Sequence, residues 1–174
     1  EEAARLENVR KEANQDTLTG LSNRAYFIAR LKALLESDDA PSGSLLFIRV
    51  AGLADINRTL GREGTDQFLR AMAKLLAARA ERNPDALAGR LNGADFALLL
   101  PDEQLGQAGA DELLTSLAGE AGAFVGANAK VFGGLVEYTF GMNLTSVLSR
   151  VDTALAEAES GGASNVRVSG DAGK

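Results

Sequence analysis

Apolar positions along the chain follow two periodicities, and each change of periodicity marks the boundary of an element. Spacings of three and four residues predict helices at about 1–15, 23–37, 54–60, 65–82, 103–119 and 144–159. Continuous apolar runs between turn residues predict strands at about 44–50, 131–140 and 166–168, and a two-stranded hairpin at about 87–100. Helices and strands in this order predict an α+β fold in which helices pack on the faces of one sheet.

The clearest turn lies within the predicted hairpin, at Asn92-Gly93. Asn and Gly tolerate the positive φ that a two-residue hairpin turn requires, so we expect them to be its central residues. Asp95 follows directly, and the apolar run 97–100 continues the second strand. A hairpin tip that carries a glycine and a carboxylate can bring its backbone close to a phosphate group.

The chain divides into a leading helix, a globular domain and a short tail. In the polar helix 1–15, Leu6, Val9 and Ala13 have the spacing of a coiled-coil seam, and a solvated helix end is the alternative. We assign 16–168 to the domain and 169–174 to a disordered tail or a linker to a following domain. Because the first residues read as the middle of a helix, we expect the chain to be a piece of a longer protein.

Composition narrows the chemistry that this domain can perform. The 174 residues are 45% hydrophobic and 24% charged, and a net charge of −6 argues against nucleic-acid binding. The absence of Cys and His excludes thiol nucleophiles, histidine bases and the usual zinc ligands, so any metal would be a hard cation held by oxygen atoms. No apolar run reaches the roughly 18 residues of a membrane helix, so we expect no direct membrane contact by this fragment.

Four segments resemble, in order, the motifs of one protein family. The most specific is Asp-Thr-Leu-Thr-Gly-Leu-Ser-Asn-Arg at 16–24. The others are Ile56-Asn57 with Gly61 and Asp66, the hairpin Arg90-Leu91-Asn92-Gly93-Ala94-Asp95-Phe96, and Val151-Asp152-Thr153-Ala154-Leu155 with Ala158 and Gly162. Together they make residues 14–168 similar to the GGDEF family, the diguanylate cyclases, whose signature hairpin reads Gly-Gly-Asp/Glu-Glu-Phe.

The resemblance implies both a fold and a reaction. The expected fold is a five-stranded, mainly antiparallel sheet wrapped by helices, similar to nucleotide-cyclase palm domains and preceded by the N-terminal helix. Members of the family join two GTP molecules into cyclic di-GMP, with one GTP on each subunit of a head-to-head dimer. Mg²⁺ neutralises the charge that develops as a 3′-hydroxyl attacks an α-phosphate.

Several residues depart from the pattern that this reaction requires. The first metal-binding carboxylate of the family aligns with Arg49, whose guanidinium cannot bind Mg²⁺. In the hairpin, Asn92 replaces the first glycine, Ala94 replaces an acidic residue, and Asp95 replaces the metal-binding Glu with a shorter side chain. The resemblance therefore implies that no metal site remains. One hypothesis is that Arg49 and Asp95 form an ion pair in place of the metal; the alternative is that Arg49 points to solvent.

The closing segment has lost its expected phosphate contacts. Glu159 replaces a phosphate-binding Lys, and Ala163 replaces the Arg that follows it. An anion beside a triphosphate is more unfavourable than a missing contact, because like charges repel at close range. These positions imply that GTP and Mg²⁺ are not cofactors of this domain.

Two residues at the family's guanine-binding positions survive, Asn57 and Asp66. Asn57 could equally be an ordinary polar helix residue, and Asp66 a favourable acid in the first turn of a helix that Thr65 caps. Arg82-Asn83-Pro84-Asp85 resembles the Arg-x-x-Asp product-inhibition site of the family but lies one residue too early. We interpret that segment as a loop that ends the preceding helix.

These observations favour a catalytically inactive GGDEF-type regulatory domain that relays a signal between an input helix and a neighbouring EAL-type domain. The resemblance places it in the cytoplasm, as part of an inner-membrane protein. Whether it forms a homodimer through helix 1–15 stays open. Three alternatives remain at this stage. They are a GTP sensor without turnover, a weakly active cyclase with an altered metal site, and a generic α+β interaction domain.

Overall fold

A computed structural model describes residues 13–39, 41–126, 129–139 and 141–169. Its five strands form one sheet in the order β2-β3-β1-β4-β5, and every neighbouring pair is antiparallel except β4 and β5. The strands are β1 Gly43–Val50, β2 Leu87–Asn92, β3 Asp95–Pro101, β4 Val131–Tyr138 and β5 Asn165–Val168. This sheet confirms the predicted α+β, mainly antiparallel architecture. Most of the predicted helix 1–15 and of the tail 169–174 lies outside the described residues.

Helices cover both faces of the sheet. They are α1 Arg24–Glu36, α2 Leu53–Ala80, α3 Gly106–Val125 and α4 Leu144–Ser160. Leu46, Ile48 and Leu98 pack with α2 and α3 on one face, whereas Leu45 and Phe47 pack with α1 and α4 on the other. Because both faces are buried, β1 and β3 read as continuous apolar runs although they belong to an antiparallel sheet.

Helix α2 contains the helix predicted at 54–60 and all but the last two residues of the helix predicted at 65–82. Gly61, with φ 73° and ψ 174°, interrupts the helical backbone where the first of them was expected to end. The second segment resumes directly after Gly61, so the predicted start at 65 is wrong. Thr65 is therefore not a capping residue: it is buried inside the helix, and its hydroxyl has no hydrogen-bond partner among the described residues.

The hairpin turn differs from the prediction by one residue. β2 ends at Asn92, β3 begins at Asp95, and these two residues pair with each other. The turn residues are therefore Gly93 and Ala94, and Gly93 has the positive φ, 40°. The physical reason is a register shift between Arg90 and Asn92, which moves Asn92 into the strand ladder.

The loop that follows α2 is confirmed as a helix-terminating segment. The helix ends at Ala80, and the Asn83 side chain accepts a hydrogen bond of 3.0 Å from the amide of Asp85. The Asn83 amide group in turn donates to the carbonyl oxygen of Pro101 at 2.9 Å. These bonds tie the loop to the end of β3.

Candidate functional site

The candidate site lies where the end of β1 meets the start of β3. Arg49 and Asp95 are directly opposite each other in the antiparallel register. The Arg49 guanidinium donates from Nε to Oδ1 of Asp95 at 2.8 Å and from Nη2 to Oδ2 at 3.0 Å. This is a two-point contact, in which the planar guanidinium matches both carboxylate oxygens. It confirms the predicted ion pair and excludes an Arg49 side chain without a partner.

A second carboxylate reaches the same guanidinium from α4. Arg49 Nη1 donates to Oε1 of Glu159 at 2.8 Å. The sequence predicts Glu159 at the phosphate end of the site but does not predict this contact. We call the three side chains of Arg49, Asp95 and Glu159 the ion triad. Its members are partly shielded, with side-chain exposures of 40%, 24% and 33%.

The triad has one cation between two anions. Hydrogen bonding to Asp95 is the largest cause that raises the pKa of Arg49 above its ordinary value, and Glu159 adds to the shift while burial opposes it. The guanidinium therefore keeps its charge throughout the range in which proteins are folded. Among the described residues there is no group of three or more acidic side chains that could hold a metal ion.

The hairpin itself is packed and anchored. Phe96 and Ala94 are buried, and the Ala94 carbonyl oxygen accepts the amide of Val50 at 3.1 Å. Asn92 and Gly93 are exposed at the tip. The buried residues explain why the hairpin keeps its shape although its acidic third position is now Ala94.

An ion pair on the other side of the hairpin was not predicted. Arg90 donates from Nε to the carbonyl oxygen of Gly93 at 2.8 Å, and its Nη1 lies 3.3 Å from both carboxylate oxygens of Asp16. Asp16 also accepts hydrogen bonds from the amide and the hydroxyl of Thr19, at 2.9 and 2.7 Å. The motifs gave no signal for this pairing, because each of them contains one acidic and one basic residue and so does not specify which residues pair.

Asp16 should make folding depend on pH in the acidic range. Burial by itself raises the pKa of this carboxyl, but the Thr19 hydrogen bonds and Arg90 together lower it below its ordinary 3.8. A lowered folded-state pKa stabilises the protein above pH 3.8, and this contribution disappears as pH falls through the folded-state value. The free energy of unfolding of wild type should therefore exceed that of Asp16→Asn near pH 6, and the gap should narrow below pH 3.8.

Urea titrations at several pH values measure this gap directly. Asp85→Asn is the matched control, because Asp85 is exposed in the loop after α2. A gap between wild type and Asp16→Asn that stays constant from pH 6 down to pH 2.5 would contradict the assignment.

The two surviving guanine-position residues lie on either side of the Gly61 break. Leu53 approaches the hairpin turn, since a Cβ at Gly93 would lie 3.2 Å from its Cδ2 atom. Asn57 is one helical turn further along that face and is exposed, whereas Asp66 is half-buried beyond the break. Neither has a described contact with the ion triad. Ala163 is exposed in the turn after α4, where its carbonyl oxygen accepts from Asn165.

The cavity beside the triad is small. It has a volume of about 80 Å³ and is lined by Arg24, Arg49, Asn92, Asp95 and Asp152, among others. Sites for small-molecule ligands usually measure a few hundred Å³. The cavity beside the triad is smaller than such sites.

The fold and the site can now be compared with known proteins. Residues 13–165 match the family "Diguanylate cyclase, GGDEF domain". The chain therefore belongs to the GGDEF family. None of the helices in the described ranges is both long and apolar enough to cross a membrane.

Among curated proteins, the chain is 31% identical over 169 residues to the diguanylate cyclase VdcA of Vibrio cholerae, covering 92% of this chain and 48% of that protein. It is 33% identical over 111 residues to the RNase E specificity factor CsrD of Escherichia coli, covering 62% of this chain and 17% of that one. A Streptomyces griseus protein of no stated function is 40% identical over 97 residues, which are 55% of this chain and 40% of that protein. The chain thus spans less than half the length of each of these relatives.

Solved structures show the same fold. The coiled coil and GGDEF domain of DgcB from Caulobacter crescentus, in complex with c-di-GMP, aligns with a TM-score of 0.82 at 26% identity, over 95% of this chain and 91% of that one. A LapD S helix-GGDEF-EAL structure from Vibrio cholerae aligns with a TM-score of 0.71 at 23% identity, over 92% of this chain and 38% of that one. Both likenesses extend over nearly the whole described domain.

Proposed function

We propose that this chain is a non-catalytic GGDEF domain that regulates a neighbouring domain in a cyclic di-GMP signalling protein. The observation that carries the proposal is the ion triad. The Arg49 guanidinium lies between Asp95 and Glu159, at 2.8 Å from each, at the position where the family resemblance expects a carboxylate to bind a divalent cation.

Electrostatics oppose a metal at this position. A divalent cation 4 Å from a guanidinium would be repelled by about 8 kcal/mol at an effective dielectric constant of about 20. The partial exposure of Arg49 weakens this repulsion without changing its sign, because solvent screens exposed charges. Both carboxylates that could attract the metal already bind Arg49.

The phosphate side of the site supports the same proposal. Glu159 replaces a cation of the family with an anion, and its carboxylate is held in the site by Arg49. A triphosphate would bring further negative charge next to it, without Mg²⁺ to neutralise that charge. We therefore propose that neither GTP nor Mg²⁺ is a cofactor of this domain.

The relatives support a regulatory context. One of them bears the name RNase E specificity factor, which is not the name of a cyclase. Another likeness is a solved protein in which a GGDEF domain lies between an S helix and an EAL domain. We propose a similar arrangement here, with an input helix before residue 16, an EAL-type domain after residue 174, and a cytoplasmic location within an inner-membrane protein.

A GTP sensor without turnover is the second candidate. Asn57 and Asp66 favour it, because an exposed amide and a half-buried carboxylate could still bind a guanine edge. A weakly active cyclase remains the third candidate, since other relatives are named diguanylate cyclases and Asp95 retains one carboxylate.

Turnover and calorimetry separate the three candidates. We expect no cyclic di-GMP from Mg²⁺ and GTP by chromatography, and no heat on titration of the 174-residue chain with GTP at millimolar concentration. Product formation above that of Asp95→Ala would establish the cyclase instead. Binding heat that Asn57→Ala and Asp66→Ala abolish, without product, would establish the sensor.

A further inference from the structure

Contacts from two distant parts of the chain meet at the hairpin. One is the incoming segment, residues 13–22, through which the chain comes into the domain. The other is the outgoing segment, residues 159–168, which comprises the last two residues of α4, the following turn and β5. Asp16 belongs to the first and Glu159 to the second, and each is bound to an arginine next to the hairpin.

The incoming segment is attached to β2 by side-chain and backbone bonds. Asp16 pairs with Arg90, and both side chains are largely shielded, at 20% and 17% exposure. The amide of Ser22 donates to the carbonyl oxygen of Ala88 at 3.0 Å, and the amide of Arg90 donates to that of Ser22 at 2.9 Å. Because Arg90 also binds the Gly93 carbonyl oxygen, a displacement of this segment acts on the hairpin turn.

The outgoing segment is attached to the other side of the hairpin by the ion triad. Asp95 begins β3, and Arg49 links it to Glu159 in the last turn of α4. Directly after this turn, the amides of Gly161 and Gly162 donate to the carbonyl oxygens of Ala158 and Glu159, at 3.1 Å each. The opening of these two bonds therefore reports how firmly the end of α4 is held.

We propose that the hairpin couples the incoming segment to the outgoing segment through the Asp16–Arg90 pair and the ion triad. This inference rests on the proposed regulatory function, because it gives a site without catalysis a mechanical role. The two-state element is the Arg49–Glu159 contact, which is either closed or open. A change at Asp16 alters the closed fraction by moving the hairpin to which Arg49 is bound.

Amide hydrogen exchange on the nucleotide-free chain tests the coupling. We expect Asp16→Asn to speed exchange at Gly161 and Gly162 roughly two- to thirty-fold, the range that substitutions along coupled networks produce. In a Glu159→Gln background the same substitution should have a smaller effect, since the link to Arg49 then lacks the charge of the carboxylate. Arg90→Lys, which retains the charge but not the fork of donors, should behave like Asp16→Asn.

The control breaks a second Asp–Arg ion pair, which is exposed and lies within a single helix. Asp55 pairs with Arg58 on α2, with both side chains more than 70% exposed, so Asp55→Asn should leave exchange at Gly161 and Gly162 unchanged. Amides of β1 report global unfolding and separate a local effect from loss of stability. Equal acceleration in the wild-type and Glu159→Gln backgrounds, or none in either, would overturn the proposal.

This measurement and the nucleotide assays can fail independently. If the chain binds GTP or makes cyclic di-GMP, the proposed function is wrong. The exchange result stays valid in that case, because exchange is measured without nucleotide. If the exchange data show no coupling and the chain does not bind GTP, only the proposed coupling between the incoming and outgoing segments is wrong.

Discussion

Replacing Gly134 with alanine should lower the free energy of unfolding by about 3 kcal/mol, near the upper end of the usual cost of overpacking a core. Gly134 lies in β4, beneath α4. A Cβ at this position would lie 2.6 Å from the amide nitrogen of Leu155 and 2.7 Å from the carbonyl oxygen of Val151. These are backbone atoms of a helix, so no side-chain rotation can relieve the overlap. Urea or thermal denaturation should show the loss, with a Tm about 6–12 °C lower.

Gly133, the preceding residue of β4, is the matched control. A Cβ there would approach side-chain atoms, Cγ2 of Val166 at 3.1 Å and Cδ1 of Leu46 at 3.5 Å, which can shift. Gly133→Ala should therefore cost less than about 1 kcal/mol. Gly119→Ala, in an open position of α3, should stabilise the protein by about 0.5 kcal/mol. Equal losses at 133 and 134 would contradict the close approach of α4.

Replacing Arg49 with aspartate should create a binding site for a divalent cation. The variant would bring three carboxylates together, from positions 49, 95 and 159, in place of one cation between two anions. Without metal it should be less stable than wild type, because like charges then face each other. Mn²⁺ at about 100 times its Kd should restore about 2.7 kcal/mol, or roughly 5–11 °C in Tm.

Wild type and Arg49→Gln are the controls for this experiment. Wild type should show no shift in Tm with Mn²⁺, and Arg49→Gln, which has only two carboxylates, should show a smaller one than Arg49→Asp. If Mn²⁺ raises the Tm of wild type as much as that of Arg49→Asp, the guanidinium does not lie at a cation-binding position. If Arg49→Asp does not respond to Mn²⁺, the same conclusion follows.

Most of the sheet could be predicted because its strands are continuous apolar runs, whereas the helices have apolar residues at spacings of three and four. β1 and β4 lie within one to two residues of the predicted 44–50 and 131–140. Helix α3 was predicted at 103–119 but lies at 106–125. Its start is set by the buried Ser44 in β1, whose hydroxyl donates to the carbonyl oxygen of Glu103 and accepts from the amide of Leu105 at 2.9 Å. A contact across about 60 residues is not visible in local periodicity.

The site was predicted in part. The departures at Arg49 and Ala94 are visible in the sequence, because a motif fixes which residue type belongs at each position. The Arg49–Asp95 pair could be proposed from them, since two opposite charges had replaced two metal ligands. The contact of Arg49 with Glu159 and the pairing of Asp16 with Arg90 could not be predicted. Both depend on how α4 and the incoming segment pack against the sheet.

The amino-acid sequence by itself determined the α+β class, the order of the elements and the loss of family residues from the hairpin. These follow from local patterns, in which each residue is judged against its near neighbours. Only the tertiary structure decided what the changed residues do. Arg49 meets carboxylates that are 46 and 110 residues away in the chain, and only the packing of the sheet and α4 brings all three within hydrogen-bond distance.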